Sequence, residues 1–175
     1  PESLETLYLY ASHFNKSLDH LPSQLHTLYI GMSYNIHIIK FPKQLTHLYL
    51  TYNYNQNIDN LPDSLVYLQL GNDFNTPINK YPINLLEIYF GHKFNQPIDN
   101  LPPKLERLAL NQNFNQPINN LPDSLQILTF LDCKYFNHPL TNLPVGLREL
   151  HLSSSYNYIL EDRKSTRLNS SHVKR

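Results

Sequence analysis

One thiol, eight histidines and a column of aspartates are the side chains of residues 1–161 that invite chemistry, and their spacing decides how much of it is usable. Cys133 is the lone cysteine of the chain, which excludes an internal disulfide and a multi-thiolate zinc site. A nucleophilic cysteine needs a neighbouring base that lowers its pKa. The sequence offers only His138, beyond a turn, so Cys133 reads as a thiol on a surface loop, within Leu131-Asp132-Cys133-Lys134-Tyr135. The histidines scatter: His26 and His47 come close in register without aligning, and no column stacks metal ligands. Asp19, Asp59 and Asp99 recur every 40 residues. Successive carboxylates would then lie roughly 9–10 Å apart, too far to share one cation, so they read as solvent-facing caps and turn partners. There is no glycine-rich phosphate loop, no G-x-S-x-G and no H-E-x-x-H. The expectation is no catalytic residue, no cofactor and no metal, and the chain does not read as an enzyme.

The elements that carry these residues follow from a period. Prolines stand at Pro22, Pro42, Pro62, Pro82, Pro102 and Pro122, each 20 residues from the last, with Pro1 and Pro144 just outside that spacing. Each opens the phrase P-x-x-L-x-x-L-x-L-x-x-x-[FY]-N-x-x-[IL]-x-x-[LFY], present in eight copies. Such self-similarity marks a solenoid in which each unit is stable only against its neighbours. The alternating end of L-x-x-L-x-L predicts a short strand with two apolar residues facing inward. Its natural partner is the same strand of the next coil, giving a parallel sheet with roughly 4.8 Å between strands. Strands are expected to start near Thr6, Thr27, His47, Tyr67, Glu87, Arg107, Ile127 and Glu149.

The remaining 14 or so residues of each period must return the chain to its start. Prolines at Pro77, Pro97, Pro117 and Pro139 disfavour a helix there. The return should be extended or polyproline-like, with at most one tight helical turn at Asp-Ser of Leu-Pro-Asp-Ser-Leu and under about 10% helix in all, well below the usual third. The columns Leu28/Leu48/Leu68, Ile30/Leu50/Leu70 and Ile58/Ile78/Ile98 are the expected core.

An aromatic-asparagine pair closes each strand: Phe14-Asn15, Tyr34-Asn35, Tyr54-Asn55, Phe74-Asn75, Phe94-Asn95, Phe114-Asn115, Phe136-Asn137 and Tyr156-Asn157. An amide both donates and accepts, so these asparagines read as structural, bonding backbone groups left unpaired inside the solenoid or one another in a ladder. The aromatics can stack as a spine.

At these phrases the chain resembles the FNIP repeats, a branch of the leucine-rich repeats found in social amoebae and in giant viruses of amoebae. The resemblance rests on runs such as Phe94-Asn95-Gln96-Pro97-Ile98-Asp99-Asn100-Leu101-Pro102 and covers residues 1–161. Tyr34-Asn35-Ile36-His37-Ile38 lacks the proline, and residues 131–136 carry a two-residue insertion. The resemblance implies a mainly β leucine-rich-repeat-like solenoid that serves as a protein-interaction scaffold. Because members often carry an F-box ahead of the repeats, it also raises the substrate-receptor part of a ubiquitin ligase. Bacterial effector leucine-rich repeats share the Leu-Pro-x-x-Leu coil but lack the aromatic-asparagine phrase.

Composition bounds the rest. The 175 residues hold 13 prolines and 4 glycines, a length for one domain or one run of repeats. No apolar run reaches the ~18 residues of a membrane span. Pro1 is not an initiator and no secretory pattern follows it, so residues 1–161 read as one array truncated at both ends, more in keeping with an intracellular protein. Net charge is zero, but residues 162–175 hold five basic residues and one acid, leaving 9 basic and 13 acidic residues, net −4, in 1–161. The run Asp162–His172 corresponds codon by codon to a common sequencing adapter, so 162–175 read as an artefactual, disordered tail. A mildly acidic array argues against a nucleic-acid partner.

The informative surface is the outward strand face. Its two columns include Tyr8, Tyr29, Tyr49, Tyr67, Gln69, Glu87, Tyr89 and Arg107. Tyrosine supplies contact area at low entropic cost and is enriched at interfaces, so these residues are the candidate partner-binding set. The competing expectation is that they only strengthen the sheet, in a structural or adhesive array with no single binding face.

Overall fold

The computed structural model describes residues 2–10, 13–31, 33–160 and 173–174. Eight short strands follow one another in chain order: β1 (Thr6–Leu9), β2 (Thr27–Ile30), β3 (His47–Leu50), β4 (Tyr67–Gln69), β5 (Glu87–Tyr89), β6 (Arg107–Leu110), β7 (Ile127–Phe130) and β8 (Glu149–His151). Each pairs in parallel with the next, aligning Leu7, Leu28, Leu48, Leu68, Ile88, Leu108, Leu128 and Leu150 in one column. Their starts are those the period predicts, and among the described residues there is no helix. The architecture is a parallel β-solenoid.

Of the tail, only the backbone of Val173–Lys174 is described. It forms β9, a ninth strand paired in parallel with β8. A terminal strand leaves unpaired backbone groups along its edge, and any extended segment can meet them. The reading of 162–175 as disordered otherwise falls outside the described residues.

The proline phrase makes a β-turn rather than a helical one. The carbonyl of Pro62 accepts the amide of Leu65 at 3.1 Å, and Pro22, Pro42, Pro82, Pro102, Pro122 and Pro144 repeat this bond. The next two amides converge on one carbonyl of the previous coil, as Val66 and Tyr67 do on Thr46, and so launch the strand in register. The Asp-Ser serines do not cap a helix. Ser64 Oγ and Ser124 Oγ donate to the carbonyls of Leu45 and Leu105 in the preceding coils, each at 2.7 Å.

Inward residues of strand and return meet in one continuous core. Leu28, Leu48, Leu68, Ile30, Leu50, Ile38 and Ile58 are wholly buried, and Leu70, Ile78 and Ile98 are nearly so. The aromatic of each aromatic-asparagine pair also points inward. Phe74, Phe94 and Phe114 stack at centroid separations of 6.2 and 6.3 Å, Phe136 continues the stack at 6.1 Å, and Tyr34 and Tyr54 stack at 6.3 Å. The Tyr81 hydroxyl is buried without a hydrogen-bond partner in the protein.

Successive coils come closest where the chain leaves the sheet. A Cβ on Gly91 would fall 1.9 Å from the carbonyl oxygen of Gly71, so only glycine fits that corner. One coil earlier in the stack, Tyr52 turns the corner with a left-handed φ of 48°, and its carbonyl accepts the amide of Asp73 at 2.7 Å.

Candidate binding surface

Outward strand residues lie over their register partners, so neighbouring coils bring like positions together. In the first half of the sheet this builds an aromatic ladder. Tyr8 stacks on Tyr29 at 4.6 Å, and Tyr29 on Tyr49 at 3.9 Å with ring planes 5° apart. Tyr49 then meets Tyr67 at 4.8 Å, and Tyr67 meets Tyr89 at 5.3 Å, both tilted. The ladder thus changes column at β4, where Gln69 holds the place a tyrosine holds in the adjoining coils. Tyr67 leans across to fill it and places its hydroxyl 3.3 Å from Gln69 Oε1. His47 packs beside Tyr67, and Tyr10 extends the exposed end beside Tyr8.

The far end of the ladder is polar. Tyr89 donates to Glu87 Oε2 at 3.0 Å, and Arg107 Nη1 lies 3.4 Å from Glu87 Oε1. Beyond it stands Ala109, almost fully covered. The stretch from Tyr8 to Arg107 therefore carries one internally paired set of fixed charges. Burial and the Glu87 carboxylate push the Tyr89 phenol above its ordinary value, burial does the same for Tyr67, and contact with the Tyr49 phenol does so for Tyr29. Each favours the neutral phenol, so the strip remains a hydrogen-bonding surface without added charge.

All eight candidate residues share this face, but they are not equivalent. Tyr8 is 54% exposed, whereas Tyr29, Tyr49, Tyr67 and Tyr89 are half-covered by one another. Co-facial stacking uses up the ring faces of the middle rungs, leaving ring edges and hydroxyls for a partner. The lateral step at Tyr67 could have been read from the substitution of Gln69 in the second column, since only an outward residue of the other column can reach that gap.

The asparagine column occupies a different edge. Its side chains are exposed or half-exposed rather than inside the solenoid, which corrects the expectation from sequence. They do not form an amide-to-amide ladder. Oδ1 of Asn35, Asn55, Asn75 and Asn95 accepts the backbone amide of the next asparagine, at 2.8–2.9 Å. Asn115 receives Asn137 at 3.2 Å. A second donor from the next coil joins the same oxygen: Gln56, Thr76, Gln96 and Gln116 in turn. No such bond is described for Asn15 or Asn157. The side chain thus replaces a β-ladder where the return backbone has none, which keeps it outside the core, within reach of the amide one coil on.

The aspartates act in the same way rather than only as caps. Asp19 Oδ1 accepts Ile39 N at 2.7 Å, and Asp59 Oδ1 accepts Asn79 N at 2.8 Å. For Asp19, bonds from Ser17 and Ile39 hold the carboxyl below its usual range. For Asp59, burial opposes the bonds from Asn79 and Asn57, and the bonds prevail.

Cys133 is not a surface thiol. It is fully buried, and its Sγ donates to the carbonyl of Asn111 at 3.0 Å. The two-residue insertion lets Leu131, Asp132, Lys134 and Tyr135 face solvent while Cys133 turns in. Burial, reinforced by Asp132, pushes the thiol up to about 12, which removes the thiolate that nucleophilic chemistry requires. Among the described residues no group of three or more His, Cys, Asp or Glu could hold a metal ion, and no helix is long and apolar enough to cross a membrane.

Comparison with known proteins agrees with this geometry. None of the curated proteins matches the chain. Among solved structures, the chain is similar to CroV588, described as a novel circular LRR protein, with a TM-score of 0.67 and 30% sequence identity over 91% of this chain. It spans 30% of the length of that protein, which comes from a giant virus. The family profile described as FNIP Repeat matches residues 34–73, 54–93 and 94–133. With more than half of its length covered by that profile, the chain belongs to the FNIP-repeat family, on the leucine-rich-repeat type of parallel solenoid.

Proposed function

We propose that the array is a protein-interaction scaffold that engages its partner through the sheet face. The observation that carries the proposal is the unbroken strip Tyr8–Tyr29–Tyr49–Tyr67–Tyr89, joined to Glu87 and Arg107. Leucines and asparagines already hold the coil, so these side chains are free for another use. Aromatic residues and arginine, with few lysines or glutamates, match the composition of interface cores. With its one acid–base pair mutually satisfied, the strip suits a neutral protein surface and lacks the basic stripe a nucleic acid requires.

The close stacking of Tyr29 on Tyr49 favours a second reading, a structural or adhesive array whose tyrosines only brace the sheet. Changing Tyr29, Tyr49 and Tyr89 together to phenylalanine separates the two, because the rings still stack while the hydroxyl edge is lost. The protein, used as bait in its own cells, should lose a specific partner with its unfolding midpoint unchanged. Retained capture, or a lowered midpoint with no partner at all, overturns the scaffold reading. The finer reading, the substrate receptor of an F-box ubiquitin ligase, rests on the family resemblance. It requires ligase-core subunits among proteins captured by the full-length gene product, and their absence removes it.

A further inference from the structure

Away from the sheet, where the return segments of the first two coils meet, lies a groove of about 540 Å3. Its floor is Leu21, Phe41 and Pro42, and its rim carries His20, Lys40 and Lys43. Phe41 and Pro42 are buried, while the three basic side chains are exposed. The groove has a specific origin. In the third coil, Asn60 Nδ2 folds back onto the carbonyls of Ile38 and Ile39 at 2.8 and 2.7 Å. In the fifth, Asn100 Nδ2 reaches the carbonyl of Asn79 at 2.9 Å. The equivalent residue in the second coil is Lys40, whose ammonium makes no such bond, so the notch that asparagine closes in the third and fifth coils stays open here.

The notch keeps a net positive charge. Neither Lys40 nor Lys43 has an ion pair among the described residues. The one carboxylate on the rim, Asp19, accepts Ile39 N at 2.7 Å and Ser17 Oγ at 2.5 Å and keeps its own charge, so the two lysines outnumber it by one. The positive charge is also local. One coil on, Lys40 and Lys43 are replaced by Asn60 and Asp63, and two coils on Lys80 returns at the first position with Ile83 at the second.

We propose that this groove binds a short acidic peptide segment, with one apolar side chain on Leu21, Phe41 and Pro42 and flanking carboxylates on Lys40 and Lys43. An apolar floor between two free ammonium groups complements such a segment in both respects. A polyphosphate backbone would need the basic run to continue along the coils, and here Asn60 and Asp63 interrupt it. The site is independent of the sheet-face strip, and a variant of one leaves the other intact.

The test is a fluorescence-anisotropy titration of the full chain with a labelled peptide Glu-Glu-Leu-Glu-Glu, and with Gln-Gln-Leu-Gln-Gln as comparison. The acidic peptide should bind saturably, the glutamine peptide about tenfold more weakly, and the difference should shrink between about 50 and about 300 mM salt. Lys40→Asn, which copies the closed notch of the third coil, should weaken binding about tenfold without lowering the unfolding midpoint. Lys43→Glu should do the same, and the triple tyrosine-to-phenylalanine variant should bind as the parent does. Equal affinity for the two peptides, undiminished binding by Lys40→Asn and Lys43→Glu, absence of saturation, or full displacement by a single-stranded oligonucleotide at equal concentration would each overturn the site.

Discussion

The two sides of each coil are held by different atoms. On the sheet side the backbone pairs with itself, and β1 to β8 supply a continuous ladder. On the return side there is no ladder, and side chains stand in for it: Asn75 Oδ1 takes the amide of Asn95, Asp59 Oδ1 that of Asn79, and Asn60 Nδ2 reaches two carbonyls of the coil before it. This difference accounts for the pattern of variation along the chain. Where backbone does the bonding, outward residues vary among tyrosine, glutamine, alanine, threonine and histidine. Where side chains do the bonding, asparagine recurs in every copy.

The largest effect should come from the core that both sides share. Leu68→Ala leaves a cavity between two coils that cannot both close over it, and should cost about 2–5 kcal/mol in reversible unfolding. An unchanged midpoint would remove Leu68 from the core.

A smaller pair of changes addresses the asymmetry itself. Asn95→Ala strands the half-buried backbone amide of Asn115, while Gln116 Nε2 keeps the Asn95 carbonyl at 3.1 Å, and should cost about 1–2 kcal/mol. Thr129→Gln, outward on β7, should stay within about 0.5 kcal/mol of the parent. Equal costs would mean that the return side is not held by its side chains.

Cys133 gives a pH-dependent comparison of the insertion coil with its neighbours. Its thiol is raised from 9.0 to about 12 by burial. Folding therefore favours the protonated thiol. That stability is fully present below the ordinary thiol value and is lost as pH climbs toward 12. The parent's advantage over Cys133→Ala should shrink steadily above about pH 9, and a constant gap in unfolding free energy from pH 7 to pH 10 would contradict the burial.

The smallest effect is a gain or none. Tyr81 buries a hydroxyl that finds no partner in the protein, and the second coil carries Phe41 at the same position. Tyr81→Phe should leave stability unchanged or raise it by about 1 kcal/mol, and a loss of that size would reveal a bond made by the hydroxyl.

Much of the fold was legible because the repeat states each rule eight times. A single L-x-x-L-x-L is ambiguous between helix and strand. Stacked at 20 residues with prolines in the return, it leaves room only for strands, and register follows because equal coils align equal positions. The chemistry of the site was less legible. The asparagines were recognisable as structural, but not that a side-chain oxygen would take the amide of the coil ahead while remaining at the surface. That depends on where the return backbone runs relative to its neighbour. Cys133 looked loop-borne because it sits in an insertion, and no local pattern tells which residue of an insertion turns inward.

The sequence by itself determined the period, the strand positions, the apolar columns and the family, because each depends on spacing along one coil or on its exact repetition in the next. Tertiary structure decided what spacing leaves open: that Tyr67 crosses columns to complete the aromatic ladder, that Cys133 is sealed against the carbonyl of Asn111, and that Lys40 leaves a notch where Asn60 closes one. Each of these turns on how a side chain of one coil meets the substituted position of the coil beside it. Distances across that boundary are set by packing, at a separation of about 20 residues along the chain, and no local propensity encodes them.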